Sequence, residues 1–204
     1  MSRKVNLRQI KNKFYIITNG RETEKNYFEL IKAKKSIYEV LVEFQNEDSL
    51  GLVNYAIEKK KDANQVWIVF DIDNEKDNKL SQAISKADKN DINYAFSNIC
   101  FEVWLVSHFM KIESEKTEKE LEKIFSKYLS GQKNGLEYEK NNKETLKKYF
   151  IPNYKNAVEN SKIVYQKYNN EHLKKYGDKV ARKIWEWYSC TKVFKLIEAL
   201  KLER

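Results

Sequence analysis

The sequence predicts an α/β protein: a mostly parallel sheet flanked by helices, followed by a C-terminal helical appendage. Three observations carry that expectation. Up to about residue 110, short β-branched and aromatic runs alternate with helical stripes. One run, Val66-Trp67-Ile68-Val69-Phe70, is nearly continuously apolar, as a strand buried on both faces of a parallel sheet should be. Beyond about residue 112 the strand signals largely vanish and amphipathic helices take over.

Taken in order, Phe14 to Thr18 reads as a strand that ends at the turn Asn19-Gly20. An acidic stretch then opens a helix with Tyr27, Phe28 and Ile31 on one face, and Ser36 to Phe44 contains the strand-forming run Val40-Leu41-Val42. Leu50, Val53, Ala56 and Ile57 form the stripe of a second helix, with Asp48 and Ser49 available to cap it. After the apolar strand, which stops at Asp71, come a polar helix around Lys79 to Lys89, a short strand around Ile92 to Phe96 and the apolar segment Cys100 to Met110. This first part, residues 1–112, is expected to be the α/β domain.

The remainder, residues 113–204, is expected to be helical. Leu121, Ile124, Phe125, Tyr128 and Leu129 mark one helix, and a polar stretch from Ser130 to Asn142, broken by Gly131 and Gly135, marks a long loop. Pro152 precedes a helix carrying Tyr154, Ala157, Val158, Ser161, Tyr165 and Tyr168. Val180, Ile184 and Trp187 suggest a further helix, and Val193, Phe194, Ile197 and Leu200 a last one.

Composition narrows the class. Of 204 residues, 41% are hydrophobic and 34% charged, which argues for a folded chain rather than a disordered one. The net charge of +9 favours a polyanionic partner, although many basic proteins are merely soluble. Cys100 and Cys190 are too few and too distant for a disulfide framework or a zinc knuckle, and read as buried thiols in a reducing compartment. The N-terminal residues lack the apolar core of a secretory signal and no segment approaches the length of a bilayer span, so the expected location is cytoplasmic, with no membrane partner.

Three places could carry chemistry. In Asp71-Ile72-Asp73, two carboxylates two residues apart project to the same side of an extended chain, at the end of a strand where α/β sheets bind ligands. Such a pair suits a hard cation, Mg²⁺ or Mn²⁺; the competing reading is a solvated, helix-capping turn. Glu102 sits on an otherwise apolar helical stripe with Leu105, Val106 and Phe109, so it must be paired, bonded to backbone or facing a cleft. His108, one turn above Trp104, is either a core histidine or a site residue.

Glu22 and Glu24 follow the Asn19-Gly20 turn, where a helix start favours acids in any case. No P-loop, dinucleotide fingerprint or Ser-His-Asp order is present, so phosphate recognition falls to Lys and Arg. Lys147, Lys148, Lys167, Lys174 and Lys175 alternate with tyrosines, a pattern that fits either single-stranded nucleic acid or ordinary helices with tyrosines packed inward.

Three stretches together resemble the RloB-like family. Asn19-Gly20-Arg21-Glu22-Thr23-Glu24-Lys25-Asn26-Tyr27-Phe28 is similar to its opening motif, a strand followed by Glu-Gly, Thr-Glu and Tyr-Phe. Val66 to Asp73 is similar to its strand ending in Asp-x-Asp. Ser97-Asn98-Ile99-Cys100-Phe101-Glu102-Val103-Trp104-Leu105 with His108-Phe109 is similar to its Ser-Asn-Pro-Cys-Phe-Glu-x-Trp-Leu segment, and Tyr188 to Val193 more loosely to a closing Asn-Pro-Ser-Thr motif.

The resemblance implies a Toprim-like fold in a phage-defence or abortive-infection protein, often encoded beside an AAA-type ATPase. It also implies Mg²⁺ on Asp71 and Asp73 for phosphodiester cleavage. The family's early glutamate falls on Asn19, whose carbonyl can ligate a metal but cannot shuttle a proton. The expectation is therefore a Mg²⁺- or Mn²⁺-dependent nuclease with Glu24, Asp71, Asp73, Glu102 and His108 at its site, the first three on the metal. RNA, such as tRNA, is preferred over DNA. The alternatives are a non-catalytic nucleic-acid-binding or ATPase-docking subunit with a degenerate site, and a small-nucleotide sensor.

Overall fold

The computed structural model describes residues 12–34, 36–72, 77–131, 142–177 and 183–202. The first strand, β1 (Asn12–Thr18), leads through the Asn19-Gly20 turn into α1 (Thr23–Ile31). Next come β2 (Tyr38–Phe44), α2 (Ser49–Lys59), β3 (Gln65–Asp71), α3 (Asp77–Lys89) and β4 (Asn93–Asn98). The expected order of strands and helices is met element by element. Asp48 is the cap of α2, its carboxylate accepting from the Gly51 N–H at 2.9 Å.

These strands form a sheet of order β2-β1-β3-β4-β5. β1 pairs in parallel with β2 on one side and β3 on the other, with Phe14 opposite both Val40 and Gln65, and β3 pairs in parallel with β4. From β1 the chain steps outward to β2, then crosses back over β1 to β3. The crossover direction therefore reverses between β1 and β3, and right-handed connections put α1 on one face and α2 and α3, which pack on each other, on the opposite face. β1 and β3 are buried over Phe14 to Thr18 and Val66 to Phe70, which is why both runs are continuously apolar.

After β4 the chain makes the short helix α4 (Glu102–Val106) inside the apolar segment whose residues were read on a helical stripe. α5 (Glu118–Ser130) starts at a reciprocal cap between Thr117 and Glu120, and α6 (Lys143–Thr145) runs into a π-helical turn, Leu146–Phe150. A 3₁₀ turn holding Pro152, Ile151–Asn153, then opens α7 (Tyr154–Tyr176).

The C-terminal tail departs from expectation. Of the helix expected around Val180, Ile184 and Trp187, Val180 lies outside the described residues, and the described part is a single 3₁₀ turn, Ile184–Glu186. Cys190–Thr191 then forms a fifth strand, β5, antiparallel to β4, before α8 (Val193–Ala199) closes the fold. The apolar residues Ile184 and Trp187 are buried, Trp187 against Tyr165 of α7 and Phe96 of β4. Two residues of strand carry too little periodicity to be read from sequence. One apolar core runs through both parts, from β1 and β3 to Phe125, Phe150, Tyr165 and Leu196.

Candidate active site

Three of the expected acids are carried to the same edge of the sheet. Glu24 lies in the first turn of α1, directly after β1; Asp71 is the last residue of β3; Glu102 opens α4, just beyond β4. β1, β3 and β4 are neighbours and parallel, so all three acids stand at the carboxyl ends of adjacent strands, at or beside the β1/β3 switch point. Open α/β sheets bind ligands in this crevice.

Local geometry brings the acids inward. Asn19 extends the ladder past β1, its N–H donating to the Val69 carbonyl at 3.3 Å. Glu24 is buried, with its carboxylate folded back over Gly20; a Cβ at Gly20 would fall inside that carboxyl group. The missing side chain at Gly20 is thus what admits the Glu24 carboxylate, through close approach rather than a left-handed backbone. Asp71 is half-buried opposite Ser97, and the next N–H, of Ile72, donates to the Ser97 and Ile99 carbonyls at 3.1 and 3.2 Å. Asp73 lies outside the described residues.

Glu102 is 5% exposed. Its neighbour Cys100 registers the local field: burial first, then the charge and hydrogen bond of Glu102, then the charge of Asp71, raise the thiol well above its ordinary pKa. One thiol thus feels two carboxylates, one at the end of β3 and one at the start of α4. That negative potential, supplied by oxygen donors alone, suits a hard divalent cation such as Mg²⁺ or Mn²⁺. Among the described residues no three His, Cys, Asp or Glu side chains stand close enough to enclose a metal by themselves.

His108 is not brought to this edge. It is 1% exposed, packed against Tyr27, Trp104 and Phe150. Its Nδ1 lies 3.1 Å from the carbonyls of Trp104 and Leu105, which can only accept, so Nδ1 carries the proton. Nε2 then accepts from the Tyr27 hydroxyl at 3.1 Å. Burial holds the imidazole pKa down to about 3, so it is neutral, with both nitrogens engaged inside the core.

Two of the sequence stretches singled out above meet across the β4–β5 pair. Ser97 stands opposite Thr191 and Asn98 opposite Cys190. The Ser97 and Thr191 hydroxyls lie 3.1 Å apart, Thr191 also donates to the Phe96 carbonyl at 3.0 Å, and the Asn98 amide donates to the carbonyls of Trp187 and Ile184. These contacts span about ninety residues and had no local signal in the sequence.

The family profile described as RloB-like protein matches residues 14–200. The chain belongs to the RloB-like family. No curated protein and no solved structure matches the chain. The matched span of this RloB-like chain runs from β1 into the end of α8, so it takes in Glu24, Asp71 and Glu102 together with the β5 return.

The lysines expected to contact nucleic acid, Lys147, Lys148, Lys167, Lys174 and Lys175, are all exposed. Their neighbouring tyrosines divide. Tyr165 is buried against Phe96, Trp187 and Phe194, and Tyr168 stacks on Trp187 with centroids 6.2 Å apart. Those two rings pack inward, as the plainer of the two sequence readings has it. No helix among the described residues is long and apolar enough to cross a membrane.

Proposed function

We propose that this RloB-like chain is a metal-dependent nuclease that cleaves phosphodiester bonds, with RNA such as tRNA preferred over DNA, and acts as a phage-defence effector. The observation that carries the reading is the return of the Glu24 carboxylate to Gly20, beside Asn19. It supplies an acid at the turn where the family's early glutamate is replaced, at the carboxyl edge that also holds Asp71 and Glu102. Asp71 and Glu24, with Asp73, are the residues that would hold Mg²⁺ or Mn²⁺. When bound, the ion would polarise a phosphate and lower the pKa of a nucleophilic water.

The chain's own residues have separable tasks. Glu24 is positioned to take a proton from an attacking water near the end of β1. Glu102, buried beside the Cys100 thiol, adds negative charge that favours cation over anion at this edge. Exposed lysines on the helical part neutralise the substrate backbone, in keeping with the +9 charge.

A second reading is favoured by Asn19 itself and by the lack of a ready three-carboxylate group among the described residues: a non-catalytic subunit that binds nucleic acid or docks an AAA-type ATPase. Incubation of the purified protein with total tRNA, single-stranded RNA and plasmid DNA, in Mg²⁺, Mn²⁺ or EDTA, separates the two. Metal-dependent RNA cleavage that disappears in Asp71→Ala supports the nuclease. Binding without cleavage in every metal supports the second reading.

A further inference from the structure

The turn that precedes β5 places aromatic rings next to the acidic edge. Because β5 runs antiparallel to β4, with Cys190 opposite Asn98, the residues before Cys190 lie beyond the carboxyl end of β4. This turn is pinned from two sides. The Asn98 amide holds the Ile184 and Trp187 carbonyls, and the Lys116 N–H donates to the Ser189 hydroxyl at 2.8 Å. Ser189 itself has φ of 34°, a left-handed conformation that reverses the chain sharply. On this fixed turn Trp187 points inward at 4% exposure, while Tyr188 points outward at 52%.

Trp187 joins Tyr188 to the end of α7. Its ring stacks on Tyr168 and lies 6.3 Å from His172, which in turn lies 5.0 Å from Tyr176. Cations sit over the outer rings of this row: Lys175 and Lys183 at 4.8 and 5.9 Å from the Tyr176 centroid, and Lys167 at 6.0 Å from that of Tyr168. Among the described residues, Glu186, bound to Lys183 at 3.3 Å, the exposed Glu171, and Glu115 near Tyr168 are acids of this surface. Tyr168 is half-buried with its ring stacked on Trp187, Tyr176 is half-buried beneath its two lysines, and Tyr188 is exposed.

We infer that Tyr176 and Tyr188 are stacking platforms for the bases of single-stranded nucleic acid, with Lys167, Lys175 and Lys183 on its phosphates, along a path that reaches the acidic edge past the end of β4. Aromatic rings accept any base face and lysines follow the backbone, so the surface selects unpaired strands without reading their sequence. A duplex presents no free base faces to such rings. The inference rests on the nucleic-acid reading above but not on cleavage.

The test uses full-length protein carrying Asp71→Asn, in EDTA, titrated into fluorescein-labelled oligouridylate and into a matched RNA duplex, with fluorescence anisotropy as the readout. The expected result is tighter binding of the single strand. Tyr188→Ala and Tyr176→Ala should each weaken it by roughly five- to a hundredfold, while the phenylalanine variants stay near the parent. Tyr188 is half-exposed, so its alanine variant should melt as the parent does. Alanine variants that bind as the parent does, or equal binding of strand and duplex reduced only by Lys175→Glu, would overturn the inference. Tyrosine-dependent binding by a protein that cleaves nothing would uphold it and remove the nuclease reading instead.

Discussion

The Tyr27 hydroxyl donates to His108 Nε2 across 3.1 Å, bridging α1, three residues past Glu24, to the turn that follows α4, six residues past Glu102. The Tyr27 ring also meets Phe101, directly before Glu102, edge-on at 5.7 Å. One aromatic side chain and one buried hydrogen bond therefore tie α1 to α4 and to the residues on either side of it.

Tyr27→Phe keeps the ring and removes the donor, leaving Nε2 buried without a partner, and should cost about 1–3 kcal/mol. The double variant Tyr27→Phe with His108→Phe should lose less than the sum of the single changes, since neither then strands the other's polar atom. Urea unfolding of the four proteins measures both, and strictly additive losses would refute the coupling.

His108 gives stability a defined pH dependence. Its pKa is about 3 in the fold against 6.5 unperturbed, so between those values the unfolded chain binds the proton and the folded chain does not. Stability is then independent of this group above about pH 6.5 and falls as pH drops below it, approaching about 1.4 kcal/mol per pH unit. His108→Phe should flatten the dependence between pH 6.5 and 5, a range in which most carboxylates remain ionised. An unchanged slope in urea titrations would show that His108 does not stay neutral in the fold.

Gly20→Ala tests the close approach of Glu24. The new methyl would displace the end of a flexible side chain rather than backbone, so the fold should survive with a loss of about 1–2 kcal/mol, in the range of ordinary point changes. Cleavage should fall by about a hundredfold or more, the contribution of a well-placed acid–base group. Thermal melting and a single-turnover assay separate the effects; full activity would mean that Glu24 works equally well elsewhere.

Much of this was legible in the sequence because the signals are local. Continuous apolar runs at β1 and β3 and the cap at Asp48 each lie within about ten residues and formed as expected, while the buried face of α2 keeps Val53 and Ala56 but turns to Leu52, with Leu50 and Ile57 only partly covered. Glu102 was marked by its apolar surroundings and is indeed buried. What the sequence hid depends on distant partners. β5 is two residues long and exists only through β4, and His108 could not be assigned to core or site until its hydroxyl partner, Tyr27, was known to lie 81 residues away. The tyrosines of α7 differ only in what Trp187 covers, which no spacing within the helix encodes.

Asn19→Glu asks whether the replaced acid still matters. With Glu24 already returned to the turn, the substitution should leave cleavage within about tenfold of the parent. A gain of about 10²- to 10⁴-fold, the usual worth of a positioned base, would instead mark Asn19 as the point where a former enzyme lost activity.

The proposed cation site takes Glu24 and Asp71, with Asp73, as ligands and Glu102 as a buried charge beside them, and Mn²⁺ binding followed by electron paramagnetic resonance tests it without any substrate. The account predicts a binding site in the parent protein whose affinity drops by about tenfold or more in each of Glu24→Gln, Asp71→Asn and Glu102→Gln, as loss of a ligand or of its support does. Mn²⁺ affinity unchanged in all three variants would contradict it.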